Sequence, residues 1–415
     1  MTDAPLNILI IAYACSPVRS GEHLLGWEWA NRLAARHRVT VLTSPVRVSE
    51  CAEYCPANLR LVAVEDSRIV FLRGLGRFGF YAYYGLWQRA AAAAGRKLMS
   101  QERFDVLHQL TFHTCRFPSP LALGDTPFVW GPVAGLERIP PAMFPILGLD
   151  IVFELFRAAS NWLTPRLPSV RRTLHEAHAV IVSNIDTMSG LNARNPRDYV
   201  LLPANAAALN LPPAEPSKDD ILELVAVGNI VRIRAYGLAL EAISALSSAD
   251  RRRIRFTFIG DGRDKGRLMR KVRQLGLENV VCFAGQLPRT ETLERMRRAH
   301  LLVFPSLRDS GGSAVCEAMV IGLPVLGLNL AGPGAMLAHG GGFLIEATSP
   351  RRVVERMRAL LARILDERDV LAAEGQRAIL VARRVFDWDA RIARLEDIYE
   401  DAVRNRERLG RGVRV

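Results

Sequence analysis

The chain has 415 residues, 49% of them apolar, and its Lys and Arg outnumber Asp and Glu to give a formal net charge of +13. That length exceeds what one hydrophobic core ordinarily serves, and that apolar content excludes a disordered chain, so a two-domain enzyme-sized protein is expected. Lys97, Lys218, Lys265 and Lys271 are the only lysines, so the positive charge is arginine charge; without a nucleic-acid-binding motif beside it, an anionic membrane surface ranks above nucleic acid as a partner.

In chain order, MTDAPLNILIIAYAC has an apolar run but no basic start and carries Asp3, so it reads as a first β-strand and not as a leader. RVTVLTS, LRLVAV, DVLHQL, PFVWGPV and AVIVSN follow as buried strands, with amphipathic stretches such as WEWANRLAARH between them. Residues 68–97 mix aromatics, leucines and arginines, which suits either a helix on a membrane or an internal helix packed on the sheet. The proline-rich stretch 206–220 reads as a connection. A second series begins at LELVAVG and continues through IRFTFIG, VVCFAG, LLVFPS, PVLGLNL and GFLI. Two successive βα series predict two Rossmann-like domains with a cleft between them, 1–205 and 206–385, with 386–415 as a terminal helix. Neither series has a full G-x-G-x-x-G after its first strand, which disfavours a nicotinamide dehydrogenase.

Cys15, Cys51, Cys55, Cys115, Cys282 and Cys316 form no dense framework, so a reduced cytoplasmic setting is expected. Cys51 and Cys55 lack a second Cys/His pair, and metal binding there is disfavoured. Asp387-Trp388-Asp389 precedes a helix instead of closing a buried strand, so it is not expected to hold a metal either.

The most informative run is 304–334, FPSLRDSGGSAVCEAMVIGLPVLGLNLAGPG. It predicts a strand end, a turn at Ser310-Gly311-Gly312, a helix from Ser313 stopped by Gly322, and a second strand. A helix opening out of glycines offers free N–H groups and a favourable dipole to a diphosphate. Asp309 before the turn and Glu317 within the helix supply carboxylates that can accept paired hydrogen bonds from sugar hydroxyls.

This acidic pair with seven intervening residues resembles the signature of retaining GT-B glycosyltransferases of family 4, where the first acid is usually Glu. The resemblance implies that Asp309 meets the transferred sugar, that Glu317 holds the ribose, and that the Gly311, Gly312 and Ser313 amides face phosphates and sugar. After the first strand of the second series, GNIVRIRAYG keeps the family's glycine as Gly228; Asn229 replaces its arginine, Arg234 its lysine and Ala235 its second glycine. The implied role of Arg234 is to clamp the diphosphate, and Leu287 is implied near the base. In the first domain, Gly21 and Glu22 are expected across the cleft from the phosphates. PFVWGPVAG resembles a subgroup with Gly-Pro-Val-Gly-Gly. Gly131 or Pro132 stands where many relatives have a histidine, leaving His108 and His113 as substitutes, with Glu22 and His113 on the acceptor side.

The resemblance therefore implies a metal-independent retaining transferase needing no cofactor. It moves a sugar from a nucleotide diphosphate donor to a saccharide or lipid-linked acceptor, in cell-envelope or exopolysaccharide synthesis, at the inner face of the membrane. Asp309, Glu317 and Arg234 carry the reaction in this reading. The alternative is a non-catalytic sugar-nucleotide-binding or assembly protein on the same fold.

Overall fold

The computed structural model describes residues 4–19, 21–121, 126–191, 199–205, 211–217 and 219–411. The chain divides into two compact units: Met1–Leu136 with Ala159–Ala204 and Asp389–Val415, and Glu137–Ala158 with Asn205–Trp388. Each is described by itself.

The first unit holds β1 (Asn7–Ala12), β2 (Arg38–Thr43), β3 (Leu59–Ala63), β4 (Val106–Thr111), β5 (Phe128–Val133), β6 (Ala179–Val182) and β7 (Tyr199–Leu201). They form one parallel sheet in the order β3-β2-β1-β4-β5-β6-β7. The order reverses between β1 and β4, and every residue of β4 and β5 is buried, as strands covered on both faces require. Six of these strands are those the hydrophobic runs predict; Tyr199–Leu201 is too short to announce itself.

The Gly76–Met99 helix resolves the ambiguity of the aromatic segment. Tyr83, Tyr84 and Trp87 lie fully buried in the core with Leu9, Ile11, Tyr13 and Trp130, and Tyr84 stacks on Trp87 with ring centroids 6.2 Å apart. It is an internal helix whose Tyr83, Tyr84 and Trp87 are spent on the core.

From Asp389 on, the Trp388–Arg411 helix belongs to this unit. Its Tyr399 hydroxyl lies 2.6 Å from His108 Nδ1, and His108 Nε2 lies 2.5 Å from the Gly131 carbonyl oxygen. A carbonyl only accepts, so Nε2 carries the proton and Nδ1 accepts from Tyr399. Burial lowers the His108 pKa to about 4, against the opposing effect of the Gly131 bond. His108 is thus a neutral strut between β4, β5 and the terminal helix, and not the substitute for the family's acceptor-side histidine. A depressed imidazole pKa stabilises the fold above its unfolded value near 6.5, and that stabilisation is lost as pH falls toward 4. Unfolding free energy should drop by about 2 kcal/mol from pH 7 to pH 5 on account of His108. In denaturant melts at the two pH values, His108→Gln should shrink that drop; an unchanged pH slope would contradict the assignment.

The second unit contains β8 (Leu222–Val227), β9 (Ile254–Ile259), β10 (Val281–Gly285), β11 (Leu301–Phe304), β12 (Val325–Leu328) and β13 (Gly342–Ile345), all of them predicted. The parallel order is β10-β9-β8-β11-β12-β13. Alternation sends Leu222, Leu224 and Ala226 of β8 to one hydrophobic core and Val225 to another, the latter shared with Leu302, Phe304 and Val325.

The largest departure from the sequence expectation, which gave all of 1–205 to the first domain, is Glu137–Ala158; Asn205 and Phe386–Trp388 also fall in the second unit. Glu137–Ala158 belongs to the second unit because Met143 and Leu147, both fully buried, pack into the core with Leu222, Leu224 and Ile230. The predicted connection 206–220 falls partly on residues 206–210 and 218, outside the described residues. Among the described residues no helix is long and apolar enough to cross a membrane.

Candidate functional site

Strand order locates the site before any side chain is considered. In the second unit the sheet reverses between β8 and β11, which pair through Leu301 with Leu224 and Leu302 with Val225. The chain leaves those neighbouring strands in opposite directions, opening a crevice at their carboxyl ends. Both sequence-predicted clusters of the second domain sit there: Gly228 to Arg234 after β8 and Asp309 to Glu317 after β11. The Leu307 N–H donates to the Ile233 carbonyl at 2.8 Å and ties the two loops together.

Arg234 lies in a 3-10 turn, Arg232–Arg234, and meets the Asp309 carboxylate through Nη1 to Oδ2. The same Nη1 lies 3.3 Å from Ser306 Oγ, and the guanidinium stands 4.8 Å over the Phe304 ring. Its Nε is buried without a protein acceptor, as is the nearby Tyr236 hydroxyl. Burial pushes the Tyr236 pKa up to about 12, with Arg234 lowering it and Asp309 raising it, so this phenol is a neutral donor. Two orphaned donors at one spot are costly unless a ligand or water oxygen meets them. Ala235, where the resemblance has glycine, has φ 51, in the region that favours glycine.

The carboxylate of Asp309 is used more fully than expected. Oδ1 accepts the N–H groups of Gly311 at 2.9 Å and Gly312 at 2.5 Å, while Oδ2 takes Arg234. Gly311 and Gly312 are buried. Those two amides therefore do not face outward for phosphate, which corrects the expectation: a short side chain two residues upstream closes an Asx-type turn that a longer Glu reaches poorly. Gly312 has φ 49, and a Cβ there would lie 3.3 Å from Val315 Cγ2, so glycine is favoured. In the Ser313–Ile321 helix the first amide with an intrahelical acceptor is that of Cys316, to Gly312 O at 3.0 Å. The amides that helix geometry leaves for an anion are those of Ser313, Ala314 and Val315. Ser313 is exposed, and its Oγ accepts from buried Asn205 at 3.2 Å.

Glu317 is in this helix and mostly buried, with Oε1 receiving Arg289 Nη2 at 2.8 Å and Nε at 3.2 Å. Leu287 is half-buried against the core of Val315, Cys316 and Met319. Gly228 and Asn229 are exposed, and nothing lies within 4 Å of a Cβ built on Gly228. Sequence reasoning missed Ser306, Tyr236, Arg289 and Arg308. Arg308 is held by buried Glu154, which also meets Arg157 at 2.9 Å. Burial lowers the Arg308 pKa and Arg157 lowers it further, with Glu154 opposing. The partner acids lie far away in sequence, and no local pattern signals them.

In the first unit Gly21 is exposed, with φ 68 at the start of the Glu22–Leu33 helix. Glu22 Oε1 lies 3.1 Å from His113 Nδ1 and accepts the His113 backbone N–H at 3.2 Å. The two acceptor-side candidates are thus brought together. A carboxylate accepts, so Nδ1 carries a proton in this contact, and Nε2 is buried and unpartnered in the protein. Among the described residues no three His, Cys, Asp or Glu side chains group as metal ligands.

Two parallel Rossmann-like units, with the terminal helix returning to the first, define the GT-B α/β fold. Solved structures agree with that class. Anabaena HepE in complex with UDP superposes with a TM-score of 0.62 at 16% identity, over 94% of this chain and 99% of that one. Sucrose-phosphate synthase of Thermosynechococcus elongatus gives 0.67 at 14%, over 95% and 98%. Residues 210–378 match the model of glycosyl transferases group 1, which falls on the second unit and contains Arg234, Asp309 and Glu317. D-inositol 3-phosphate glycosyltransferase of Thermobispora bispora is 32% identical over 206 residues, 47% of this chain and 46% of that protein. The chain thus spans about half the length of this curated relative. N-acetyl-alpha-D-glucosaminyl L-malate synthase of Bacillus anthracis is 21% identical over 405 residues, 96% of this chain and 98% of that protein.

Proposed function

We propose that the protein is a retaining glycosyltransferase of family 4 that takes a sugar from a nucleotide diphosphate donor and passes it to a hydroxyl of a saccharide or lipid-linked acceptor in envelope or exopolysaccharide synthesis. The observation that carries this is the convergence of Arg234, Asp309 and the Ser313 helix at the reversal between β8 and β11, in the unit that matches glycosyl transferases group 1. The relatives named as glycosyltransferases and the neighbour solved with UDP support the donor class.

Chemically, the departing diphosphate develops charge and the sugar becomes oxocarbenium-like, so the protein must offer fixed donors to one and acceptors to the other. Arg234, with its orphaned Nε, and the first-turn amides of the Ser313 helix serve the diphosphate, together with Gly21 in the first unit. Asp309 positions sugar hydroxyls, and Glu317 holds the ribose beside Arg289. Glu22 and His113 serve the acceptor. No side-chain nucleophile is placed in this scheme; retention rests on the family resemblance. Positive side chains and helix amides meet the phosphate charge, so no metal is needed.

The test is a thermal-shift screen of the purified chain against uridine, guanosine and adenosine diphosphate sugars, followed by assay of nucleoside diphosphate release with and without chelator. A donor at a hundred times its Kd adds about 2.7 kcal/mol of stability. Release should survive chelation, and Glu317→Gln should weaken donor and free nucleotide together by about 1 to 3 kcal/mol for a lost charge-assisted bond. A response to no donor would overturn the proposal. Binding without release in the presence of saccharide acceptors would leave the non-catalytic alternative, and release restored only by added manganese would remove metal independence.

A further inference from the structure

Two cysteines meet inside the first unit, and the proposed chemistry uses neither. Cys15 follows β1 and Cys51 closes the Pro45–Cys51 helix that follows β2, so the pairing of these parallel neighbours delivers both to one edge of the sheet. Both are fully buried. Cys51 Sγ lies 3.4 Å from the Cys15 carbonyl oxygen, and the two thiols share a side-chain hydrogen bond. The residues beside them match as well, since Ser16 Oγ donates to Glu50 Oε2 at 2.7 Å. Residues 15 and 16 therefore face residues 51 and 50 side by side.

The frame around the pair is fixed. Thr111 Oγ1 accepts the Ala14 N–H at 3.1 Å and donates to the Ala14 carbonyl at 2.8 Å, while the Ser16 N–H donates to the His23 carbonyl at 2.8 Å. The backbone is thus pinned on both sides of Cys15. On the facing helix Arg19, at 2.8 Å, then Ser16 and Arg47 hold the Glu50 carboxyl down at about 2 against its burial, so this clasp stays ionised. The Cys51 thiol is lowered, first by the bond from Cys15 and also by Arg47, with burial and Glu50 opposing. The Cys15 thiol is raised well above its ordinary value, first by that same bond and then by burial. One sulfur is therefore the nucleophile and the other its proton donor. Access comes from the helix end: Cys51 is the last helical residue, and Ala52, Glu53 and Tyr54 beyond it are exposed. Fraying there uncovers the sulfur to a small neutral oxidant.

We propose that Cys15 and Cys51 are a redox modification site, closing into a reversible disulfide when the chain meets hydrogen peroxide. The Cys51 thiolate attacks one peroxide oxygen and becomes a sulfenic acid, and the hydroxide released takes up the Cys51 proton as water. The Cys15 sulfur then gives up its proton and attacks the Cys51 sulfur, expelling the second oxygen with that proton as water. Two thiols and one peroxide yield one disulfide and two waters, and a thiol reductant reverses the bond by exchange. The bond joins the loop after β1, which runs on to Gly21 and Glu22, to the helix after β2. Its formation does not depend on the sugar-nucleotide chemistry.

The experiment treats the intact, reduced chain with hydrogen peroxide without denaturant, blocks the remaining thiols with N-ethylmaleimide and maps peptides by mass spectrometry without reduction. A peptide pair linked through Cys15 and Cys51, lighter by two hydrogens, should appear and vanish with dithiothreitol. Cys15→Ser and Cys51→Ser should abolish it, whereas Cys55→Ser and Cys282→Ser should retain it. Hydrogen exchange on the wild type alone gives a second readout that needs no variant to fold: amides of residues 13–19 and 45–51 should exchange at least about threefold more slowly after oxidation, and recover on reduction. The proposal is overturned by absence of the linked pair, by its appearance only in denaturant, or by a Cys51–Cys55 link in its place.

Discussion

Replacing Asp309 with alanine should lower glycosyl transfer by at least about a hundredfold, equivalent to about 2.7 kcal/mol of transition-state stabilisation, while nucleoside diphosphate affinity stays within about threefold. The carboxylate joins Arg234 to the turn at Gly311 and Gly312, and under the proposed function it also faces sugar hydroxyls. Alanine removes all of these at once, so a second substitution is needed to separate turn from charge. Asp309→Asn retains an oxygen for the two glycine amides and should keep the melting temperature close to wild type, yet it loses the charge opposite Arg234 and should still fall by well over tenfold in transfer. Asp309→Glu should lose part of the turn and retain partial activity or change donor preference. Rates of product formation and calorimetric nucleotide affinities for the three variants decide the matter. Full activity in the alanine variant removes Asp309 from the chemistry. Parallel loss of activity and nucleotide affinity gives it a structural role only.

That carboxylate also shows where sequence stops being legible. All the strands except the three-residue β7 are readable as apolar runs, most plainly the central ones such as β4 and β5, where burial on both faces leaves an unmistakable composition in a parallel sheet. The loop glycines and the acidic pair are readable as well, since a helix opening and closing on glycine has local chemistry. What the local pattern cannot reveal is the state of each donor. Gly311 and Gly312 look free in the sequence, but a side chain two residues upstream claims their amides. Arg308 looks like a solvated loop residue, but Glu154, far away in the chain, draws it inward. The Glu22–His113 contact joins two expected residues whose proximity depends on β4 ending beside the Glu22–Leu33 helix. Likewise 137–158 has no compositional mark of the second unit; only the packing of Met143 and Leu147 against Leu222 and Leu224 assigns it.

Arg234→Met should weaken nucleoside diphosphate binding by about 2 to 3 kcal/mol, roughly thirty- to a hundred-and-sixtyfold, and should reduce its salt dependence. The unbranched thioether keeps much of the packing over Phe304 but cannot supply the Nη1 bonds or the Nε donor that is unpartnered in the protein. A variant at this position also leaves Asp309 without its cation, so a loss of binding could come from a disordered turn and not from the missing phosphate contact. Two measurements separate these causes. If Arg234 meets the diphosphate, affinity for the corresponding nucleoside, which lacks phosphate, should be nearly equal in wild type and variant. If the turn has collapsed, the melting temperature should fall and Asp309→Asn, which spares the glycine bonds, should not share the affinity loss. Arg234→Lys adds a graded test: a single ammonium replaces a planar fork, so it should recover part of the charge term but not the simultaneous contact to Ser306 and Asp309. Calorimetry on the nucleoside, its diphosphate and the donor at two ionic strengths would measure each contribution. Diphosphate affinity unchanged in the methionine variant would take Arg234 out of the phosphate site and leave the first-turn amides of the Ser313 helix to carry it.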